Sequence, residues 1–137
     1  MLYILYYTET GNTEKVALKL KEKLSGAVVV NINNFDSNVL KGEDTLILGC
    51  AAYGDEELSL EMETFIDNIN YELNGKTLGL FGSYGSGDES WMDKWIKKIE
   101  GLGAKVIDNG LRVQRDSIEE AFYDKYANFF KKQKISL

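Results

Sequence analysis

Leu2-Tyr3-Ile4-Leu5-Tyr6-Tyr7-Thr8-Glu9-Thr10-Gly11-Asn12-Thr13 is the stretch on which the fold turns. Its first half is apolar and aromatic without alternation, as in a strand covered on both faces of a parallel sheet. Its second half gathers the hydroxyls of Thr8, Thr10 and Thr13 around Gly11 and Asn12. From Asn12 the period becomes helical: Val16, Ala17, Leu20 and Leu24 share a face, while Glu14, Lys15, Lys19, Lys21 and Glu22 fall elsewhere. A helix start carries free backbone N–H groups and a positive dipole end, so this strand–loop–helix junction can seat an anion. The loop has neither Lys nor Arg and is no Walker A motif, which would need Gly-Lys-Ser/Thr. An anion held without countercharge suits a resident cofactor better than phosphoryl transfer, which needs Mg²⁺ or cationic clamps. Thr and Asn at a helix start also serve as plain caps, so the loop alone leaves the ligand open.

Outward from this junction the pattern repeats. Ser25-Gly26 ends the helix, and Ala27-Val28-Val29-Val30-Asn31 completes a strand–helix–strand unit with an expected right-handed crossover. Residues 33–42 read as a loop with a short helix. Residues 44–52 read as a third strand, followed by the acidic loop Tyr53-Gly54-Asp55-Glu56-Glu57. A helix over 61–71 carries Met62, Phe65, Ile66 and Ile69 on one stripe, and Asn74-Gly75 is a turn. Residues 76–81 read as a fourth strand entering the glycine-rich loop 82–88. A helix over 91–102 turns Trp91, Trp95, Ile99 and Leu102 inward. Residues 105–107 and 111–113 form a fifth strand region broken at Asp108-Asn109-Gly110. Ser117-Ile118-Glu119-Glu120 resembles a capping box opening a last helix to about Lys132, with Ile118, Phe122, Tyr126 and Phe129/Phe130 inward. The alternation predicts an α/β fold: five parallel strands, doubly wound, with helices on both faces in three layers.

Composition removes several function classes. At 137 residues the chain corresponds to one domain, taken as 1–137. A net charge of −6 argues against nucleic acid, which needs clustered Lys and Arg. No apolar run approaches the ~20 residues of a membrane span, and the N-terminus does not read as a signal peptide, so a cytoplasmic location is expected. With no histidine, His–metal sites and His acid–base catalysis are absent. A lone Cys50, expected as a buried core thiol, excludes intrachain disulfides and thiolate-ligated clusters. Redox chemistry here would have to come from an organic cofactor.

Three loops together resemble one family. Thr8-Glu9-Thr10-Gly11-Asn12-Thr13 is similar to the T/S-x-T-G-x-T phosphate loop of flavodoxins. Ala51-Ala52-Tyr53-Gly54-Asp55-Glu56 resembles the loop after their third strand. Phe81-Gly82-Ser83-Tyr84-Gly85-Ser86-Gly87-Asp88, then Trp91-Met92, resembles the loop after their fourth. The likeness runs in register through the chain, and the length matches short-chain flavodoxins. It implies strand order 2-1-3-4-5, with FMN outside the C-terminal strand ends where the order reverses, a rule for which flavodoxins are themselves a type example.

The resemblance also assigns roles. Thr8, Thr10, Asn12 and Thr13 would bind the FMN phosphate, helped by Glu9, Gly11 and the backbone amides of 9–13. Ala51, Ala52 and Tyr53 would line the inner face of the ring, with Tyr53 stacking on it, and Glu56 would accept from the flavin N3–H. Gly54-Asp55 would tune the potential: the peptide flips so that the Gly54 carbonyl meets the protonated N5 of the neutral semiquinone, a motion cheap for glycine. Glu9, Asp55, Glu56, Glu57, Asp88 and Glu89 would destabilise the anionic hydroquinone and lower the second potential. Ser83, Tyr84, Gly85, Ser86, Gly87 and Asp88 would form the opposite wall. One departure stands out: Ser86 occupies the position where the family often has an outer aromatic, leaving that face open or covered by Tyr84 or Trp91. Near the fifth strand, Arg115 after Gln114 would oppose the acidic effect if it lay by the ring.

The implied function is a low-potential one-electron carrier with non-covalent FMN and no catalytic residue of its own. It would be a monomer whose acidic rim docks a reductase and acceptor enzymes. An FMN-dependent NAD(P)H oxidoreductase, with room for nicotinamide over Ser86, is the enzymatic alternative. A dedicated activator of one radical enzyme or metalloenzyme is another.

Overall fold

In the computed structural model, described for residues 1–8, 11–51, 59–84, 90–114 and 120–136, strands and helices alternate. β1 (Leu2–Tyr6) leads to α1 (Asn12–Lys23), β2 (Val28–Asn31), β3 (Thr45–Gly49), α2 (Leu60–Ile69), β4 (Thr77–Tyr84) and α3 (Ser90–Gly101). β5 (Lys105–Val106), β6 (Leu111–Gln114) and α4 (Glu120–Ser136) follow. Short 3-10 turns at Ile32–Asn34 and Ser37–Val39 bridge β2 to β3, where one short helix was expected.

All pairings are parallel, in the order β2-β1-β3-β4-β5, with β6 also on β4. β5 and β6 are the two halves of the expected fifth strand. β5 pairs Thr77 and Leu78 with Lys105 and Val106, and β6 pairs residues from Phe81 to Tyr84 with residues from Leu111 to Gln114. Between them Asp108, Asn109 and Gly110 hold positive φ of 50°, 57° and 76°. Asn, Asp and Gly are the residues that reach this region at least cost, which is why the break falls there.

Alternation along each strand builds two cores. Ile4, Tyr6, Ile47 and Phe81 face α1 (Val16, Ala17, Leu20) and α4 (Tyr123, Tyr126, Ala127, Phe130). Leu5, Tyr7, Leu46, Leu48, Leu78 and Leu80 face α2 (Met62, Phe65, Ile66, Ile69) and α3 (Trp91, Met92, Trp95, Ile99). Each large apolar side chain removed from water contributes about 1.5–3 kcal/mol before chain entropy is charged against it. Within the α4 core, Tyr126 donates its buried hydroxyl to the Leu80 carbonyl at 2.8 Å.

Some sequence expectations shift. β3 ends at Gly49, with Cys50 just beyond it and fully buried. β4 continues through Gly82-Ser83-Tyr84, which glycine and serine had suggested as loop. Phe130 is buried but Phe129 is 37% exposed, so one of the pair turns outward. The expected capping box at Ser117 lies outside the described residues. The parallel arrangement brings the C-terminal ends of β1, β3, β4 and β6 to one edge, the edge at which α1 and α2 begin.

Candidate functional site

At the centre of that edge, β1 hands over to α1. The Tyr7 amide donates to the Gly49 carbonyl at 2.9 Å, carrying β1–β3 pairing one residue past the strand. Thr8 is half-buried, and its hydroxyl oxygen accepts the Gly11 amide at 2.9 Å. That bond closes a small turn and leaves the Thr8 hydroxyl proton available. It also engages the Gly11 N–H, which therefore drops out of the amides expected to face an anion.

Gly11 is the N-cap of α1, at φ 93° and ψ −10°. A side chain at that φ would be strained, although nothing lies within 4 Å of where a Cβ would stand. Having no side chain, Gly11 cannot cap, and among the described residues no side chain caps the start of α1. The first helical turn, Asn12-Thr13-Glu14, thus presents its N–H groups without an acceptor among the described residues. Lys15 is the first to close on the helix, donating to the Gly11 carbonyl at 3.1 Å.

Beneath this turn lies a buried polar pair. Thr13 is fully buried and Ser83 is 4% exposed, and their hydroxyl oxygens stand 3.2 Å apart. Ser83 is in β4, held by its register with Val113 of β6. Gly82 beside it allows the close packing: a Cβ there would meet the Cys50 carbonyl and the Trp91 indole. Trp91 and Trp95 are buried in the α3 core, as their helical spacing implied. Tyr6, at the end of β1, has its phenol pushed up by burial and then by the Glu14 carboxylate.

At the same edge, α2 starts differently. Ser59 accepts the Met62 amide at 3.1 Å, and its hydroxyl meets the Cys50 sulfur at 3.2 Å. Burial pushes the Cys50 thiol up, only partly offset by hydrogen bonds with Ser59 and Ala51, and the Glu61 carboxylate pushes it up further. This is an unreactive core thiol. Ser59 had not stood out, because Met62 fills the position where a capping box carries Glu or Gln; a serine just before an apolar helical stripe was the available signal.

The structure thus brings together Thr8, Gly11, Asn12, Thr13 and Ser83 at one edge, with the backbone of Tyr84 following Ser83 and half-buried Ala51 following Cys50. Glu9, Thr10, Ala52, Tyr53, Gly54, Asp55, Glu56, Gly85, Ser86, Gly87 and Asp88 lie outside the described residues, as does Arg115. Among the described residues no His/Cys/Asp/Glu group could hold a metal ion. None of their helices is long and apolar enough to cross a membrane. Open amides, a glycine N-cap and buried hydroxyls among the described residues fit an anionic group better than a metal ion.

Known proteins agree with this geometry. Residues 4–129 match the family model described as flavodoxin. A flavodoxin of Clostridium beijerinckii is 44% identical over 121 residues, 85% of this chain and 88% of that one. A flavodoxin of Megasphaera elsdenii is 42% identical over 112 residues, 78% of this chain and 82% of its own. The crystal structure of oxidised flavodoxin 2 from Bacillus cereus superposes with a TM-score of 0.78 at 28% identity, covering 96% of this chain and 98% of that one. With the strand order, the glycine-capped start of α1 and these matches in agreement, the chain belongs to the flavodoxin family, whose members carry FMN and transfer electrons rather than catalyse a reaction unaided.

Proposed function

We propose that the FMN phosphate is anchored at the start of α1 and that its ring is framed by the segments following β3 and β4. The observation that carries this is the uncapped first turn of α1 standing over the buried Thr13–Ser83 pair. The amides of Asn12, Thr13 and Glu14 and the hydroxyls of Thr8 and Thr13 are the donors, with Thr10 and Glu9 completing the loop. Bound FMN supplies reversible one-electron chemistry at its ring. The chain's residues bind, orient and shield it. Donors fixed on a helix start cost little reorganisation when the dianion arrives. Gly82 packs closely against the buried Cys50 and Trp91 behind this edge.

Ala51, Ala52, Tyr53 and Glu56 are assigned to the ring on one side, and Tyr84, Gly85, Ser86, Gly87 and Asp88 to the other, while Ser83, buried against Thr13, is assigned to the phosphate end. Gly54 and Asp55 are assigned to tuning its potential. The net charge of −6 supports docking of basic reductase and acceptor surfaces around the ring edge by a monomeric, single-domain, cytoplasmic carrier. Such encounters are weak, fast and salt-sensitive.

The test is electron flow in the purified holoprotein. The carrier reading expects no oxidation of NAD(P)H by the protein alone, and reduction when a flavodoxin reductase is added, slowing as salt rises. Turnover of NAD(P)H without a reductase would contradict it.

A further inference from the structure

The Thr13–Ser83 contact has a property that neither hydroxyl has alone. Two buried hydroxyls, one on α1 and one on β4, share a single hydrogen bond at 3.2 Å, and either oxygen can be the donor. Each hydroxyl carries one proton. Whichever donates, one proton is left over, and burying it without an acceptor is unfavourable. The two directions are therefore close in energy until something outside the pair chooses between them.

A phosphate chooses, because it accepts hydrogen bonds only. Thr13 lies in the uncapped first turn of α1, where an anion is held, whereas Ser83 lies behind it in β4. We infer that Ser83 is a positioning residue: its hydroxyl donates to Thr13 Oγ1, and this turns the Thr13 proton outward onto the FMN phosphate. Accepting from Ser83 also polarises the Thr13 O–H and makes it a better donor, since linked hydrogen bonds strengthen one another in a low-dielectric setting. The separation of 3.2 Å exceeds the 2.7–2.8 Å usual between hydroxyls, so the bond has room to shorten once its direction is set. Ser83 would thus act on the phosphate without touching it, and it ties β4 to the anchor at α1.

This inference rests on the phosphate lying at the start of α1, and the experiment separates the two. Apoprotein is titrated with FMN and with riboflavin, which lacks the phosphate, by quenching of flavin fluorescence. The set comprises wild type, Ser83→Ala, Thr13→Val and the double variant. Wild type should prefer FMN strongly; no preference would refute the phosphate site itself. Ser83→Ala should weaken FMN about three- to tenfold, the value of one neutral hydrogen bond, and leave riboflavin unchanged. Thr13→Val should cost more, and the double variant no more than Thr13→Val, because Ser83 has nothing left to act through. Ser83→Cys, close in shape but a weaker donor, should fall between wild type and Ser83→Ala. Equal losses for both flavins would mean that Ser83 is merely structural. Additive losses in the double variant would mean that Ser83 touches the phosphate itself. An unchanged FMN preference in Ser83→Ala, beside a discriminating wild type, would mean no role. Each of these three results overturns the inference.

Discussion

α1 and α2 begin at the same edge of the sheet, yet their first turns are finished in opposite ways. α2 closes itself: Ser59 accepts the Met62 amide, Glu61 and Glu63 place carboxylates against the positive end of the helix, and Cys50 packs on the cap. α1 has a left-handed glycine for an N-cap, no side-chain cap bond, and Glu14 as the acid of its first turn. One helix supplies its own anions and acceptors; the other leaves the amides of its first turn without an acceptor among the described residues, as the proposed phosphate site requires. Binding sites in folds of this kind are places where a local rule is left unfulfilled, and the neighbouring helix shows what fulfilment looks like.

The sharpest way to break the contrast is at Thr13. Thr13→Val keeps the volume and removes the hydroxyl, so FMN affinity should fall about 10- to 100-fold, the range of a hydrogen bond to a charged acceptor at about 1.5–3 kcal/mol. Riboflavin affinity should not move; a parallel loss of both flavins would show a packing defect. At Gly11 the backbone is tested. Gly11→Ala meets no atom within 4 Å, but its φ of 93° is left-handed, and an L-residue there costs about 1–2 kcal/mol. Urea denaturation of the apoprotein should show that loss; an unchanged midpoint would mean that the turn relaxes freely.

The same operation on the closed helix should give a different outcome. Ser59→Ala removes a cap and should cost about 1 kcal/mol of stability, while the preference for FMN over riboflavin stays at the wild-type ratio. A changed ratio would show that the two helix starts are not independent. The smallest effect is one of pH at the same cap. Cys50 ionises near 9.0 when unfolded and higher when folded. Between those values the unfolded chain binds fewer protons than the native one, so stability is intact below pH 9 and declines as pH rises above it, by at most about 1.4 kcal/mol per pH unit. Cys50→Ala should flatten the slope between pH 9 and 10, read from urea midpoints across that range. An identical slope would place the titration elsewhere.

How far the sequence reached follows the range of the interactions involved. The apolar runs at Leu2–Tyr7 and Thr45–Leu48, the stripe Val16–Leu20–Leu24, and the chain break at Asp108-Asn109-Gly110 are local patterns, and the structure has them where those patterns fall. The loop at Thr8–Thr13 reads as an anion site because hydroxyls and glycine at a helix start carry their own chemistry, and the structure puts a glycine N-cap without a side-chain cap bond there. The extension of β4 through Gly82-Ser83-Tyr84 was not legible. Glycine and serine read as loop, and only pairing with Leu111–Gln114 makes that segment a strand. Nor could Phe129 be told from Phe130, since adjacent residues on a helix differ by about 100° and the sheet decides which is inside. The Thr13–Ser83 bond joins positions seventy apart in sequence, and nothing in either segment announces the other.

The account stands most directly on where the phosphate sits. Amide NMR of the ¹⁵N-labelled protein, saturated first with riboflavin and then with FMN, isolates the phosphate as the difference between the two complexes. The expected difference is confined to the α1 start, at the amides of Asn12, Thr13 and Glu14, with those of Leu60, Glu61 and Met62 at α2 unmoved. A difference centred on α2, or none at α1, would contradict it.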